Sequence, residues 1–419
     1  MRITIFAAGS RGDVQPCIML GKALQEEGYS IVLAAPENFA LLARAHGLHM
    51  HPLRGDVQQI MDSQTGKRFM ESGGGNPIQS IRAMRTMLGP IAIQMAEDAF
   101  EASREAEALI SLAVFALFAR TIVEVRGIPL VNVEPTPLLP TRAFPAPGWP
   151  IQSNLGGLHN RLSGSVMLRV IWEWYRPFVN RFRSRFGLQP FAGGDFHRVL
   201  ASTPLLGAYS PKVIPRPADS PATAQATGYW FQDALPERRP PPGLEAFLQS
   251  GKPPVYVGFG SMGRKDPARF ATIVLDALSE SGQRGLLLAG WGGMRPLTIP
   301  GTVFTIDSAP HNWLFPRMAA VVHHGGAGTT AEGLRAGVPT VIVPFIVDQP
   351  FWGKRVRALG VGPEPIPLRK LTSGKLALAI REAVTSPQMR QNAADLGTAI
   401  RAEDGLGNAV RLVKQHLGA

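Results

Sequence analysis

Two apolar patterns alternate along the first half of this chain: short unbroken runs flanked by turn residues, and longer stretches with apolar positions recurring about every 3.6 residues. The runs at residues 3–8, 30–35, 109–112 and 130–133 predict strands, because a strand buried on both faces needs no polar alternation. Helical spacing at 16–27 and 91–106 predicts helices between them. A β, α, β, α order implies a parallel, doubly wound sheet. The stretches 54–76 and 135–158 follow neither period and are rich in turn residues, so they predict loops above the strand ends, where open α/β sheets bind ligands.

Prolines gather between residues 211 and 254, at Pro215, Pro217, Pro221, Pro236 and 240–242, and predict a semi-rigid connector. Beyond it the alternation restarts, with strands expected at 255–260, 285–290, 302–306, 319–323 and 340–344. The chain thus reads as an N-terminal domain over 1–210, a linker over 211–254 and a second α/β domain over 255–400. One helical segment stands apart. Val166, Val170, Trp174, Phe178, Phe182 and Phe186 recur at helical spacing, Arg169, Arg176, Arg181, Arg183 and Arg185 supply charge, and a kink is expected near Pro177. Such a helix either packs on its own domain or lies on an anionic membrane interface, and spacing alone leaves both open.

A length of 419 residues is too great for one ordinary core and suits two domains. With 45% hydrophobic and 18% charged residues the composition is globular. No apolar run nears the roughly 18 to 20 residues a membrane span needs, and a strand at the very start leaves no room for a signal peptide. A cytoplasmic location is expected, extending at most to peripheral contact with the inner membrane face. The single cysteine, Cys17, excludes an internal disulfide and is expected to be buried and inert. A net charge of +12 and a pI near 10.3 call for an anionic partner. No nucleic-acid-binding motif accompanies that charge, so a nucleotide co-substrate and an anionic membrane surface account for it more simply.

The chemistry concentrates in His323-His324-Gly325-Gly326-Ala327-Gly328-Thr329-Thr330, which follows an apolar run and opens a helix expected near Gly328. Unpartnered N–H groups and the helix dipole favour an anion there, and glycines admit a phosphate to the backbone. His324 and Thr329 add side-chain donors. The next strand ends at Asp348-Gln349, a carboxylate and an amide suited to sugar hydroxyls; an N-cap role for Asp348 is the competing reading. A phosphate site and a sugar site one βα unit apart point to a nucleotide-sugar donor.

Together with Gly9-Ser10-Arg11-Gly12-Asp13-Val14-Gln15-Pro16, Phe259-Gly260-Ser261-Met262 and the block from Pro310-His311-Asn312-Trp313-Leu314 to Phe351-Trp352-Gly353, these features resemble the GT-B glycosyltransferases of family 1, and within them the sterol, lipid and glycopeptide branch. The resemblance implies two Rossmann-like doubly wound α/β domains facing each other across a cleft, with the acceptor site in the first, the donor site in the second, and a final helix over 401–419 packing back on the first.

It also implies roles. Asp13 is the expected general base, against a plain turn or N-cap reading. Relatives with a histidine base support it with a second acid; the matching stretch 109–112 has none, and Glu134 is a weaker substitute. Ser261, His324, Gly326, Gly328 and Thr329 are expected at the donor diphosphate, with His324 preferred over His323 because Glu332 then falls in register as the ribose ligand. Glu332 tilts the donor towards UDP rather than dTDP. Asp348 and Gln349 are expected on the sugar, and Trp291 and His311 near the base. Ser10, Glu134, Trp149, Trp172 and Trp174 mark the acceptor region. No Asp-x-Asp pair occurs, so no metal and no cofactor beyond the co-substrate are expected, the helix end and His324 standing in for the cation.

The expected reaction is inverting transfer of a hexose, with UDP-glucose favoured, to a hydroxyl of a sterol, lipid or polyketide-like acceptor. A non-catalytic nucleotide-sugar or lipid-binding protein and a nucleotide-sugar epimerase are the rivals. A NAD-dependent dehydrogenase fits less well, since Gly9-Ser10-Arg11-Gly12 lacks the third glycine of the dinucleotide motif. Arg11-Gly12-Asp13 and Arg54-Gly55-Asp56 spell an adhesion tripeptide by chance.

Overall fold

The computed structural model describes residues 1–55, 77–232, 241–259, 267–288 and 299–418. The chain divides into two compact units, Met1–Gln232 with Asp404–Ala419 (unit 1) and Asp233–Glu403 (unit 2). The strands of unit 1 are β1 (Arg2–Phe6), β2 (Ser30–Pro36), β3 (His49–Leu53), β4 (Ala108–Leu112), β5 (Leu130–Glu134), β6 (Leu205–Gly207) and β7 (Ala224–Ala226). Its helices are α1 (Arg11–Glu26), α2 (Ala40–Ala45), α3 (Pro77–Ala102), α4 (Ala116–Arg126), α5 (Gly157–Ser184) and α6 (Asp195–Ser202). Unit 2 holds α7 (Leu244–Gln249), β8 (Val255–Gly258), α8 (Pro267–Ser281), β9 (Gly285–Leu288), β10 (Val303–Ile306), α9 (His311–Leu314), β11 (Ala320–His323), α10 (Ala327–Ala336), β12 (Thr340–Ile342), α11 (Gln349–Ala358), α12 (Ser373–Thr385) and α13 (Pro387–Arg401). The last helix, α14 (Gly405–Leu417), returns to unit 1.

The unit 1 sheet has the order β3-β2-β1-β4-β5-β6-β7 and the unit 2 sheet β10-β9-β8-β11-β12, with parallel pairing throughout the described residues. Each order reverses once, between β1 and β4 and between β8 and β11. Loops diverge at such a switch point, and ligands of open α/β sheets bind at the strand ends there. In unit 2 the strand period of two sorts residues onto two cores. Val255, Val257, Leu287, Ala320 and Val322 point to one face, while Tyr256, Leu286 and Val321 point to the other.

The strands that the apolar runs missed are β3, β6 and β7. β3 (His-Met-His-Pro-Leu) and β7 (Ala-Gln-Ala) are sheet edges, where one side faces no neighbour and proline is tolerated, so neither carries a buried-strand pattern. The expected linker also needs correction. Within 211–232, Val213, Ile214 and Trp230 are buried and β7 pairs with β6, so this part belongs to unit 1; Pro236 and Pro240 lie outside the described residues.

The helix expected over 166–186 is longer and runs through Pro177. Its core stripe is Leu168, Trp172, Tyr175, Val179 and Phe182, and Trp174, Phe178 and Phe186 also pack against the unit 1 core. That aromatic face is therefore internal. Arg183, expected among the solvent-facing charges, is 4% exposed, 3.0 Å from Glu124 and stacked over Phe191. α14 inserts Ala409, Val410, Leu412 and Val413 into the same core, and Lys414 Nζ lies 3.0 Å from Glu27, the C-cap of α1. Among the described residues no helix is long and apolar enough to cross a membrane.

Candidate active site

In unit 2, β11 ends at His323 and α10 starts at Ala327, one residue before the expected position, with Gly326 as its N-cap. Glycine brings no capping side chain, and the first helical bond runs from Thr330 N–H to Gly326 O at 2.9 Å. The N–H groups of Ala327, Gly328 and Thr329 thus have no helical acceptor and carry the positive end of the dipole. The turn before them admits only glycine. Gly325 sits at φ +88°, and a Cβ there would lie 2.7 Å from the Ile342 side chain and 3.1 Å from Gln349 O. At Gly326 a Cβ would stand 2.6 Å from His324 Nε2. The turn after β11 is therefore pressed against the segment after β12, consistent with the pairing of His323 with Ile342.

The two histidines separate cleanly. His323 is fully buried, and its Nδ1 accepts from Gly325 N–H at 3.0 Å, so it fastens the turn. Burial and then the neighbouring His324 and His311 hold its pKa well below the ordinary value. His324 is half-buried and stands beside the helix start, its pKa lowered by burial to about 4. The ring is therefore neutral at physiological pH in the free enzyme, and the start of α10 carries the positive end of the helix dipole beside it. Glu332 lies one turn along α10, three residues after Thr329 and four after Gly328, hence on their face.

Asp348 occupies the N-cap position of α11, yet its side chain does not cap the helix. Its Oδ2 accepts instead from the indole Nε1–H of fully buried Trp352 at 2.9 Å. Gln349 Oε1 accepts from Phe345 N–H at 2.8 Å and Ile346 N–H at 3.2 Å, so this oxygen staples the loop. Its Nε2 makes no hydrogen bond among the described residues. Just before Asp348 and Gln349, Val347 sits at φ +54°, the one non-glycine residue at positive φ among those described. A β-branched residue there is strained.

In unit 1, Asp13 lies in the first turn of α1, which follows β1 at the switch point. Its Oδ2 accepts from Ser10 N–H and Ser10 Oγ–H, both at 2.8 Å, the reciprocal arrangement of a capping box. Asp13 thus stands at the third helical position of α1, tied to its N-cap residue Ser10. Gly9, at φ +141°, makes room for it: a Cβ there would lie 2.6 Å from Asp13 Oδ2. Cys17 is buried, its thiol pushed up by burial and then by the Asp13 charge. Glu134 ends β5, two strands from β1 and so about 10 Å away in the sheet. It is 4% exposed and accepts from Leu138 N–H at 3.0 Å and Tyr209 Oη–H at 3.1 Å. Burial raises it to about 7.

The expected acceptor tryptophans part company. Trp172 is 1% exposed inside the core, which removes it from the acceptor region. Trp174 stacks on Tyr175 at 4.1 Å, with its Nε1 buried and unpartnered among the described residues. Trp149 is half-buried and donates to His159 Nε2 at 3.3 Å. His311 begins α9 and stacks on Phe315 at 4.3 Å. Ser261 and Trp291 lie outside the described residues. Sequence reasoning missed the Trp352 bond to Asp348, although their i, i+4 spacing was the available signal. Nothing local announced the strain at Val347 or the Tyr209–Glu134 contact.

Residues 3–145 match the model of the Glycosyltransferase family 28 N-terminal domain, and 293–405 that of the Erythromycin biosynthesis protein CIII-like C-terminal domain. The chain is 34% identical over 423 residues to a sterol 3-beta-glucosyltransferase of Arabidopsis thaliana, covering 100% of this chain and 68% of that protein. It is 37% identical over 419 residues to O-mycaminosyltylonolide 6-deoxyallosyltransferase of Streptomyces fradiae, covering 99% and 97%. The solved glycotransferase of kitacinnamycin superposes with a TM-score of 0.74 at 19% identity, over 99% of both chains. With the two switch-point sheets and the uncapped helix of unit 2, these likenesses show that the chain belongs to the GT-B glycosyltransferases, the family of the sterol 3-beta-glucosyltransferases, and is a hexosyltransferase.

Proposed function

We propose that this enzyme moves a hexose from UDP-glucose or a similar UDP-sugar to a hydroxyl of a sterol, lipid or polyketide-like acceptor, with inversion and without a metal. The observation that carries the reading is the contact in unit 2 between the Gly325 turn and the Ile342–Gln349 segment, which sets an anion site beside a carboxylate and an amide N–H. In this reading the N–H groups at 327–329 and neutral His324 take the charge that develops on the departing diphosphate. Asp348, aimed by Trp352, and Gln349 Nε2 hold the sugar hydroxyls. Asp13 takes the acceptor proton, and the oxygen attacks the anomeric carbon opposite UDP, turning an α-linked donor into a β-glycoside. The name of the sterol-glycosylating relative supports an apolar acceptor, and the net charge of +12 supports meeting it at an anionic membrane surface.

A dTDP-sugar donor is the second reading, favoured by the deoxysugar in the name of the Streptomyces relative. Glu332 favours UDP, because a carboxylate on the diphosphate face of α10 has a ribose 2′-hydroxyl to accept from only in a ribonucleotide. Thermal shift with UDP-glucose and dTDP-glucose decides between them. Wild type should be stabilised more by UDP-glucose, and Glu332→Ala should weaken UDP-glucose by about tenfold while leaving dTDP-glucose unchanged. Equal stabilisation of both proteins by both donors removes Glu332 from the ribose.

A further inference from the structure

Five of the twelve large apolar side chains that stand exposed among the described residues fall within 151–166: Ile151 (49%), Leu155 (62%), Leu158 (73%), Leu162 (54%) and Val166 (44%). Leu158, Leu162 and Val166 are spaced i, i+4, i+8 along the first half of α5 and form one ridge. Arg161, Ser165 and Arg169 form the ridge beside it, all exposed. Arg142 joins them, its Cβ next to Gly157 at the start of the helix. Arg169 pairs with Glu173 at 2.7 Å; Arg142 and Arg161 make no ion pair among the described residues, although Arg161 is near enough to Asp219 to act on its charge. The second half of α5 buries its aromatic face in the core, so this first half is where the helix offers apolar surface to something outside the chain.

We propose that this ridge of Leu158, Leu162 and Val166, with Leu155 just before the helix and Arg142 and Arg161 flanking it, docks unit 1 on an anionic lipid bilayer. The inference deepens the reading of a lipid-borne acceptor and rests on it only for its purpose, not for its geometry. Charge selects the occupant. A chain of net charge +12 with an arginine ridge repels a second copy of itself and attracts a surface of lipid phosphates. Shape agrees: the leucines protrude from a convex helix face, as an interfacial helix needs in order to sink apolar side chains below the headgroups while its arginines stay among them.

Co-sedimentation with phosphatidylcholine–phosphatidylglycerol vesicles and with phosphatidylcholine vesicles tests this. Wild type should bind the anionic vesicles and release them as salt is raised. The pair Leu158→Glu and Leu162→Glu should abolish binding, and Arg161→Ala should weaken it roughly fivefold at low salt. Unchanged melting temperatures verify that the variants fold. UDP release with a detergent-dispersed acceptor should remain at wild-type rate in the leucine pair, which separates failure of this docking from failure of the glycosyltransferase reading. Equal vesicle binding by wild type and the leucine pair, equal binding to uncharged vesicles, or a wild-type dimer in light scattering that the leucine pair dissolves would each overturn the proposal.

Discussion

Two helix N-termini in this molecule follow strands of parallel sheets in the same way and end up with opposite chemistry. At α1 the first turn is filled by its own side chains: Asp13 Oδ2 accepts from both the N–H and the hydroxyl of Ser10 at 2.8 Å. At α10 the cap is Gly326, and among the described residues no side chain caps the positive end. One helix start therefore presents a carboxylate and the other presents donors, from the same backbone dipole. A dipole in a doubly wound sheet does not specify a ligand by itself; the capping residue decides whether the helix satisfies itself or waits for an anion.

The largest test of that contrast is Asp13→Asn. Asparagine keeps an oxygen for the Ser10 donors, so the capping box and stability should persist, while loss of the base should lower kcat by about 10²- to 10⁴-fold. Stabilisation by UDP-glucose should be unchanged, because the proposed donor site lies at the other helix start. A variant with near wild-type kcat would reduce Asp13 to a cap.

On the α10 side, His324→Ala should cost about 10²-fold in kcat by removing one neutral donor from the leaving diphosphate. The capping box in unit 1 should be untouched, as hydrogen exchange at residues 10–14 would show. A loss confined to KM would place His324 on the ground-state donor alone.

Much of this was legible in the sequence because it depends on local pattern. Central strands announce themselves as apolar runs, and the glycines of the α10 turn cluster where the backbone must bend and admit a phosphate. The order of Asp13, His324 and Asp348 along the chain was readable for the same reason. What stayed hidden depends on partners distant in sequence or on the third dimension. Trp172 looks like an acceptor contact until α5 folds into the unit 1 core, where it is 1% exposed and where Phe115 and Phe118 pack on Tyr175 of the same helix. The edge strand β3 hides because half its surroundings are solvent. Gln349 reads as a sugar ligand, yet half its amide is spent on Phe345 and Ile346. Glu134 looks like a spare acid and becomes a buried one only when Tyr209 arrives from beyond β6.

That buried acid and the buried histidines give the two units opposite pH responses. His324 is lowered from 6.5 to about 4, and His323 lies well below its ordinary value too. Between about pH 4 and 6.5 the unfolded chain binds protons on these rings that folded unit 2 does not, so unit 2 loses stability as pH falls through that window. Glu134 is raised from 4.5 to about 7, so there the folded state holds the extra proton, and its contribution is lost as pH rises from about 4.5 to 7. Each effect is on the order of 1 to 3 kcal/mol. Hydrogen exchange of peptides from each unit at about pH 5 and pH 7.5 should show the difference, and Glu134→Gln should flatten the response of unit 1 while leaving that of unit 2. An identical pH profile for wild type and Glu134→Gln would mean the carboxyl is not buried as drawn.

The smallest expected effect compares how each unit turns the chain beside its key carboxylate. Unit 1 places Gly9 at φ +141°, where any Cβ would collide with Asp13. Unit 2 places Val347 at φ +54° next to Asp348, with the side chain 64% exposed and the turn held by Gln349 instead. A left-handed β-branched residue costs about 1 to 2 kcal/mol, and glycine loses roughly 0.5 to 1 kcal/mol more chain freedom on folding, so Val347→Gly should stabilise unit 2 by about 0.5 to 1 kcal/mol. That corresponds to a rise of roughly 1 to 4 °C in its melting temperature. Activity should stay within about twofold, because the two bonds that Gln349 Oε1 accepts, not the valine, fix the loop. A lower melting temperature would show that Val347 is not strained. A large loss of kcat at unchanged stability would show instead that the left-handed turn itself aims Asp348, the task that in unit 1 falls to the Ser10 hydroxyl and backbone.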